Sequence, residues 1–108
     1  MPDSLSVQIE RFVDEAFPGF VEFSLLDADG VIHLFLEKVP VVTTENLRKD
    51  DGYPRPGYLA CTVEQELRDP SGLPLLQVNT AHPWGIESLA GENRFLVRAS
   101  QVRSDRAV

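Results

Sequence analysis

The 108-residue sequence predicts an all-β fold, a small antiparallel barrel or sandwich of about six strands with one short helical turn. Three observations predict this class. Short runs rich in β-branched, aromatic and leucine residues recur along the chain. Turn sequences containing aspartate, proline and glycine separate these runs at spacings typical of small barrels and sandwiches. The chain also lacks internal repeats and linkers, and its length fits one small β domain over residues 1–108.

The first segment has two interpretations. Leu5, Val7 and Ile9 alternate as strand residues do, whereas the apolar residues from Ile9 to Phe17 recur at helical spacing. Because the rest of the chain is predicted to be β, we favour a strand over about residues 4–13. The helical alternative stays open at this point.

Residues 20–26 and 31–39 predict the two strands of a hairpin, joined by the sequence D-A-D-G (27–30). Gly30 supplies the positive φ that such a turn requires. The same four residues are similar to the opening of a calcium loop, D-x-D-x-D-G. The distal glutamate and the flanking helices of an EF-hand are missing, so the hairpin turn is the favoured interpretation.

Three further strands are predicted at residues 58–67, 74–79 and 93–100. The sequence R-D-P-S-G-L predicts a tight turn between the first two of these strands. A long irregular segment precedes them, from about Pro40 to Gly57. Within it, residues 43–48 predict a short helical turn capped by Thr43 or Thr44. The prolines of D-G-Y-P-R-P-G-Y-L (51–59) predict a stiff corner, after which Tyr58 begins the next strand.

Charge and composition narrow the class of partner and the compartment. The formal net charge is −7. Four arginines against one aspartate give residues 94–108 a charge of +3, so the first 93 residues carry −10. An acidic body repels phosphates, which argues against binding to nucleic acid or to an anionic membrane. The four arginines of the last segment are predicted to be solvated: Arg94, Arg98, Arg103 and Arg106.

The sequence predicts a cytoplasmic protein that does not enter a membrane. No apolar run approaches the ~18–20 residues of a membrane-spanning helix, and no secretory signal is recognisable at the N-terminus. The single cysteine, Cys61, excludes an intramolecular disulfide.

The residue types of catalysis are present without a catalytic spacing. Cys61 lies in a predicted strand, where a cysteine is usually a buried apolar residue with a raised pKa. His33 is predicted in mid-strand, on the solvent face or hydrogen-bonded at a sheet edge, and His82 in a loop. These positions form no zinc-binding spacing, and neither a nucleophile elbow nor a phosphate-binding glycine loop occurs. We therefore expect no catalytic residues, no metal site and no cofactor.

Binding is better supported, because tyrosine, tryptophan and arginine commonly anchor interfaces and several lie in predicted loops. If loops 50–58 and 80–88 meet at one end of the barrel, they form a candidate binding surface. The alternative is structural: Trp84 folds back as a lid on the barrel, and the 51–59 stretch only turns a corner. The candidate binding residues are Tyr53, Arg55, Tyr58, His82 and Trp84.

Two resemblances accompany these residues. The run F-P-G-F-V-E-F-S-L-L-D-A-D-G-V-I-H-L-F-L-E-K-V-P-V-V, then Y-P-R-P-G-Y-L-A-C and N-T-A-H-P-W-G-I-E-S-L-A-G-E, resembles a family of small stand-alone bacterial proteins with no established activity. That resemblance spans residues 17 to about 102 and implies a small all-β domain. The G-Y-P-R-P element (52–56) is more loosely similar to the β-barrel third domain of elongation factor Tu, which implies barrel topology only.

Together these observations predict a non-catalytic protein-interaction domain that contacts a partner through loops 50–58 and 80–88. The acidic body favours a basic protein partner, and the protein itself is expected to be a monomer or a homodimer. A small-ligand or metal-responsive binding domain is the alternative, and an enzyme is the less favoured one.

Overall fold

The computed structural model describes residues 3–104, which form a single antiparallel sheet curled into a half-barrel. Six strands follow the chain, and a two-residue strand comes last: β1 (Asp3–Asp14), β2 (Phe20–Leu26), β3 (Ile32–Lys38), β4 (Arg55–Arg68), β5 (Pro74–Asn79), β6 (Arg94–Arg98) and β7 (Val102–Arg103). Two 3-10 helical turns, Val39–Val41 and Ala99–Gln101, complete the described elements. The predicted all-β class is therefore confirmed.

The strand order is β3-β2-β1-β4-β5-β6, so β3 and β6 are the edges of the sheet. The long strand β1 pairs with β4 through residues 3–9 and with β2 through residues 8–14. Two register shifts interrupt its pairing with β2, and one interrupts the pairing of β4 with β5. Irregularities of this kind increase local twist and bend a strand, which accounts for the curl of the sheet.

The curl brings each edge strand close to a turn or loop that belongs to the opposite edge of the sheet. The N–H of Ala28, in the β2–β3 turn, donates to the carbonyl of Leu96 on β6 at 2.8 Å. The N–H of Leu89, in the segment before β6, donates to the carbonyl of Leu34 on β3 at 2.8 Å. Each edge strand is thus covered at one point by a turn or loop.

The core lies on the concave side of the sheet. Phe23 and Phe35 stack with ring centroids 4.8 Å apart, and Phe95 from the opposite edge lies 5.8 Å from Phe35. Apolar residues from the loops close the open side: Val39, Val42, Leu47 and Ile86. The half-barrel therefore owes its core to loop residues as well as to strand residues.

The two hairpin turns after β2 and β4 use the same local design. Asp27 and Asp69 each accept hydrogen bonds from the backbone N–H groups two and four residues later, at 2.9 Å in every case. Gly30 and Gly72 follow with φ of 82° and 88°, in the left-handed region. Both predicted tight turns are confirmed.

The first segment is a strand, so the helical interpretation of residues 4–17 is wrong. β1 buries Leu5, Val7 and Ile9 on one side, and β4 on one side and β2 on the other satisfy its backbone groups. Sheet pairing along both edges overrides a helical spacing of apolar residues.

Two local predictions in the long segment before β4 are also wrong. The 3-10 turn lies at Val39–Val41 rather than at residues 43–48, where the Thr43 hydroxyl instead accepts from the N–H of Glu45. The β4 strand begins at Arg55, so Pro56 and Gly57 lie inside it. A Cβ on Gly57 would come within 3.0 Å of the Ile9 side chain and of the Val42 carbonyl, so this glycine permits a close approach of chains.

No helix in residues 3–104 has the length and apolar character that a bilayer crossing requires. Of the four arginines near the C-terminus, Arg94, Arg98 and Arg103 are exposed, which agrees with their predicted solvation. Arg106 lies outside the described residues.

Candidate functional site

Tyr53 and Arg55 are held by the segment just before them. The Tyr53 hydroxyl donates to the carbonyl of Arg48 at 2.6 Å, and its ring packs against the core. Burial raises the pKa of this hydroxyl, and the nearby Asp51 carboxylate raises it further. The Arg55 guanidinium pairs with Glu45 and donates to the Asp51 carbonyl. These contacts give both side chains a role in ordering the loop.

Tyr58 lies on the outer side of β4, where it is partly exposed. The guanidinium of Arg103, on β7, lies 4.1 Å from the centre of its ring. This cation–π contact joins the C-terminal strand to β4.

The 80–88 loop presents Trp84 to solvent from a well-anchored backbone. Trp84 is 54% exposed, so it does not fold back as a lid on the barrel, which was the structural alternative. The buried Thr80 hydroxyl donates to the carbonyl of Ile86 at 2.8 Å, and the N–H of Gly85 donates to Ala81 at 2.7 Å. Ile86 is buried in the core and fixes the far end of the loop.

His82, beside Trp84, is exposed, and its carbonyl lies 3.4 Å from the Thr62 hydroxyl on β4. Hydrogen bonds from Arg94 and Asn79 lower the pKa of the nearby Glu64 carboxyl, and His82 makes a smaller electrostatic contribution. The two candidate loops therefore attach to different parts of β4. Arg55 and Thr62 are separated by seven residues, about 23 Å of extended strand at the usual rise per residue.

A histidine between two carboxylates joins the β2–β3 hairpin to the segment before β6. His33 Nε2 lies 2.7 Å from Asp27 Oδ2, and His33 Nδ1 lies 3.7 Å from Glu92 Oε2. The ring also packs edge-on against Phe95 at 4.8 Å. His33 is thus hydrogen-bonded on an edge strand, which is one of the two positions predicted for it.

The surroundings of Asp27 lower the pKa of its carboxyl. Burial by itself raises the pKa of Asp27, but hydrogen bonds from His33 and from the backbone of Val31 and Asp29 outweigh it and leave the pKa below its ordinary value. Among residues 3–104, no group of three or more histidine, cysteine, aspartate or glutamate side chains is arranged to hold a metal ion.

Cys61 is fully buried in β4, as the sequence predicts for a cysteine in a strand. Burial raises the pKa of its thiol to about 11, and the charge of Asp3 adds to this. The thiolate needed for nucleophilic attack is therefore scarce at neutral pH.

The sequence reasoning missed an apolar surface on the convex side of β3 and of the end of β2. We call it the outer apolar face; it consists of Leu26, Ile32, Leu34 and Leu36. Each of these residues is between 41% and 64% exposed. The signal was visible in V-I-H-L-F-L (31–36), since this strand has apolar residues in both alternating phases and buries only one of them.

A pocket of about 600 Å³ lies between the β1–β2 turn and residues 46–50. Phe12 and Leu47 form part of its apolar lining, and Arg48, Lys49 and Asp50 line it with charge. Phe17, in the turn, is 97% exposed at this pocket.

No family model, curated protein or solved structure matches this chain. The two resemblances drawn from the sequence stay predictions.

Proposed function

We propose that this protein is a non-catalytic protein-interaction domain that binds a basic protein. The observation that carries the proposal is the exposed Trp84 on a loop whose backbone is fixed at both ends. Tryptophan is among the commonest interface anchors, and an anchor that is already ordered loses little conformational entropy on binding.

The charge of the surrounding surface supports a basic partner. Glu64, Glu66 and Glu87 are exposed on β4 and in the 80–88 loop. Arg94 pairs with Glu64 at 3.0 Å, so the net negative charge of this surface comes from Glu66 and Glu87. An acidic surface of this kind steers a basic partner toward the tryptophan.

Within this proposal the 80–88 loop is the main contact and the 50–58 loop a secondary one. Tyr53 and Arg55 are engaged in contacts within the chain, so their replacement is expected to loosen the 45–55 segment. Trp84 and His82 are free to lose exposed surface to a partner without breaking such contacts.

The sole tryptophan provides the test. Proteins retained by the immobilised wild type and lost with Trp84→Ala are purified and titrated against the free domain. Binding at this loop shifts the Trp84 emission to shorter wavelength and weakens with added salt. Leu73→Ala, in the β4–β5 turn, is a matched control at an exposed apolar residue. Capture that is equal for wild type and Trp84→Ala, or a titration without a change in emission, contradicts the proposal.

Small-ligand binding is the second candidate, favoured by the pocket beside Phe17. An apolar lining with charges of both signs suits a small amphiphilic molecule. Thermal unfolding with a panel of aromatic and aliphatic acids and amines tests it. A ligand that stabilises the wild type but not Phe17→Ser supports this candidate, and no shift across the panel contradicts it.

A further inference from the structure

Strand β3 is an edge of the sheet, and its outer side is apolar over its whole central part. Ile32, Leu34 and Leu36 alternate with the inward-facing His33 and Phe35. Apolar side chains gathered on an edge strand favour association with another protein surface. This surface is the outer apolar face defined above.

The outer side of β3 is complementary to itself. Its three apolar residues are evenly spaced around Leu34. A second copy related by a two-fold axis near Leu34, with its β3 antiparallel, therefore places Ile32 against Leu36 and Leu34 against Leu34. Such a symmetrical contact is the kind that closed dimers use.

The charges at the two ends of β3 support the same arrangement. Lys38 ends the strand, and Asp29 lies in the turn before its start, and both are exposed. Of the salt bridges formed within residues 3–104, none includes either side chain. In the antiparallel arrangement, Lys38 of each copy lies beside Asp29 of the other.

The backbone of β3 decides how the copies meet. The carbonyl of Leu34 already accepts a hydrogen bond from Leu89 at 2.8 Å. A continuous sheet through both β3 strands would have to break that bond at its centre. Packing of the two faces keeps it.

We propose that this protein forms a homodimer in which the outer apolar faces of two copies pack against each other with their β3 strands antiparallel. The inference goes beyond the proposed function and uses β3, whereas the 80–88 loop contacts β4 through the His82 carbonyl and the Thr62 hydroxyl.

The oligomeric state of the full chain tests the proposal. Sedimentation equilibrium from the low micromolar to the millimolar range is expected to show a reversible monomer–dimer equilibrium. Leu34→Ser is expected to raise the dissociation constant roughly tenfold to a hundredfold, because both copies lose a buried leucine. Leu73→Ser, at an exposed leucine in the β4–β5 turn, leaves the constant unchanged.

Charge reversal identifies the antiparallel arrangement. Lys38→Glu or Asp29→Lys alone weakens the dimer about severalfold, as expected for exposed ion pairs, and the double variant recovers the wild-type constant. Circular dichroism and thermal unfolding check that each variant is folded, and Leu36→Ser replaces Leu34→Ser if the latter is not.

Three results overturn the proposal. They are a wild type that stays monomeric at millimolar concentration, a dimer that Leu34→Ser and Leu36→Ser leave intact, and a double charge variant that is weaker than both single ones. A monomer whose capture of another protein depends on Leu34 would assign the face to that protein instead. Trp84→Ala is expected to leave the dimer unchanged, so a failure here and a failure of the Trp84 contact are separate results.

Discussion

β3 and β6 are the two edges of one sheet, and each has one backbone group covered by a turn or loop from the other side of the molecule. Their inner sides are alike, since Phe35 and Phe95 both enter the core and approach each other. Their outer sides differ. β6 exposes Arg94 and Arg98, whereas β3 exposes Ile32, Leu34 and Leu36.

The difference is informative because an edge strand invites pairing with other chains. Charged residues on an edge discourage such pairing, and β6 carries them. The same protection is absent from the centre of β3, where three large apolar residues face solvent. The proposed dimer uses the apolar edge and leaves the charged one exposed.

The largest expected effect tests the similarity of the inner sides. Phe35→Ala and Phe95→Ala are each expected to lower the free energy of unfolding by about 3–5 kcal/mol, since both leave a cavity in the core. Denaturation in guanidinium chloride measures this. Leu36→Ala is the control at an exposed position of β3 and is expected to change stability little. A small loss for Phe95→Ala would show that β6 packs less firmly than β3.

A smaller effect is expected where the β3 edge is fastened to the β6 side. Asp27→Ala removes two backbone hydrogen bonds of the turn and the partner of His33, at a cost of about 1–2 kcal/mol. Asp69→Ala removes the same turn bonds after β4 and, in place of the His33 contact, a hydrogen bond from the exposed Ser71 hydroxyl, so a smaller loss is expected. Chemical denaturation of the two variants compares the turns. Equal losses would mean that the His33 contact adds no more stability than the exposed Ser71 hydroxyl does.

The pH dependence of the free energy of unfolding shows how much of the contribution of Asp27 depends on its negative charge. The folded pKa of Asp27 is lowered, so its carboxylate stabilises the fold above the unfolded pKa, and this contribution is lost as the pH falls through the folded pKa. The Asp27→Asn variant, which cannot ionise, is therefore expected to approach wild-type stability below about pH 4. A constant difference from neutral to acidic pH would contradict this assignment.

The smallest expected effect on folding comes from replacing the charged residues on the outer side of β6 by apolar ones. Arg94→Leu together with Arg98→Leu gives β6 an apolar outer side like that of β3. The variant is expected to keep a nearly unchanged melting temperature. It is also expected to form oligomers larger than a dimer, because it exposes a second apolar surface. Sedimentation velocity measures the association. A variant that shows only the wild-type species would mean that charge on β6 does not limit association.

Much of the fold could be predicted because it depends on short-range patterns. The bounds predicted for β2 and β5 match the structure, since alternating apolar residues and turn residues define both strands. The start of β4 could not be predicted in this way. Pro56 and Gly57 suggest a loop by their type, but they lie in a strand because β1 pairs with them.

The candidate binding residues were found from their type and not from their surroundings. Arg55 pairs with Glu45, ten residues earlier, and Tyr58 lies under Arg103 of the last strand. Neither pairing has a local signal, so the sequence could not separate these residues from the exposed Trp84. The outer apolar face could not be predicted, because both phases of β3 contain apolar residues and only the packing of the sheet decides which phase is buried.

By itself the sequence determined the β class, the first strand once its neighbours were taken into account, the two aspartate–glycine turns and the acidic charge. These are consequences of residues close in the chain or of composition. Only the tertiary structure decided that His33 lies near Glu92 and that the Leu34 carbonyl accepts a hydrogen bond from Leu89. It also decided which apolar and charged side chains the two edge strands expose. Such contacts depend on how far the sheet curls, and the curl is set by bulges and by packing across the whole core.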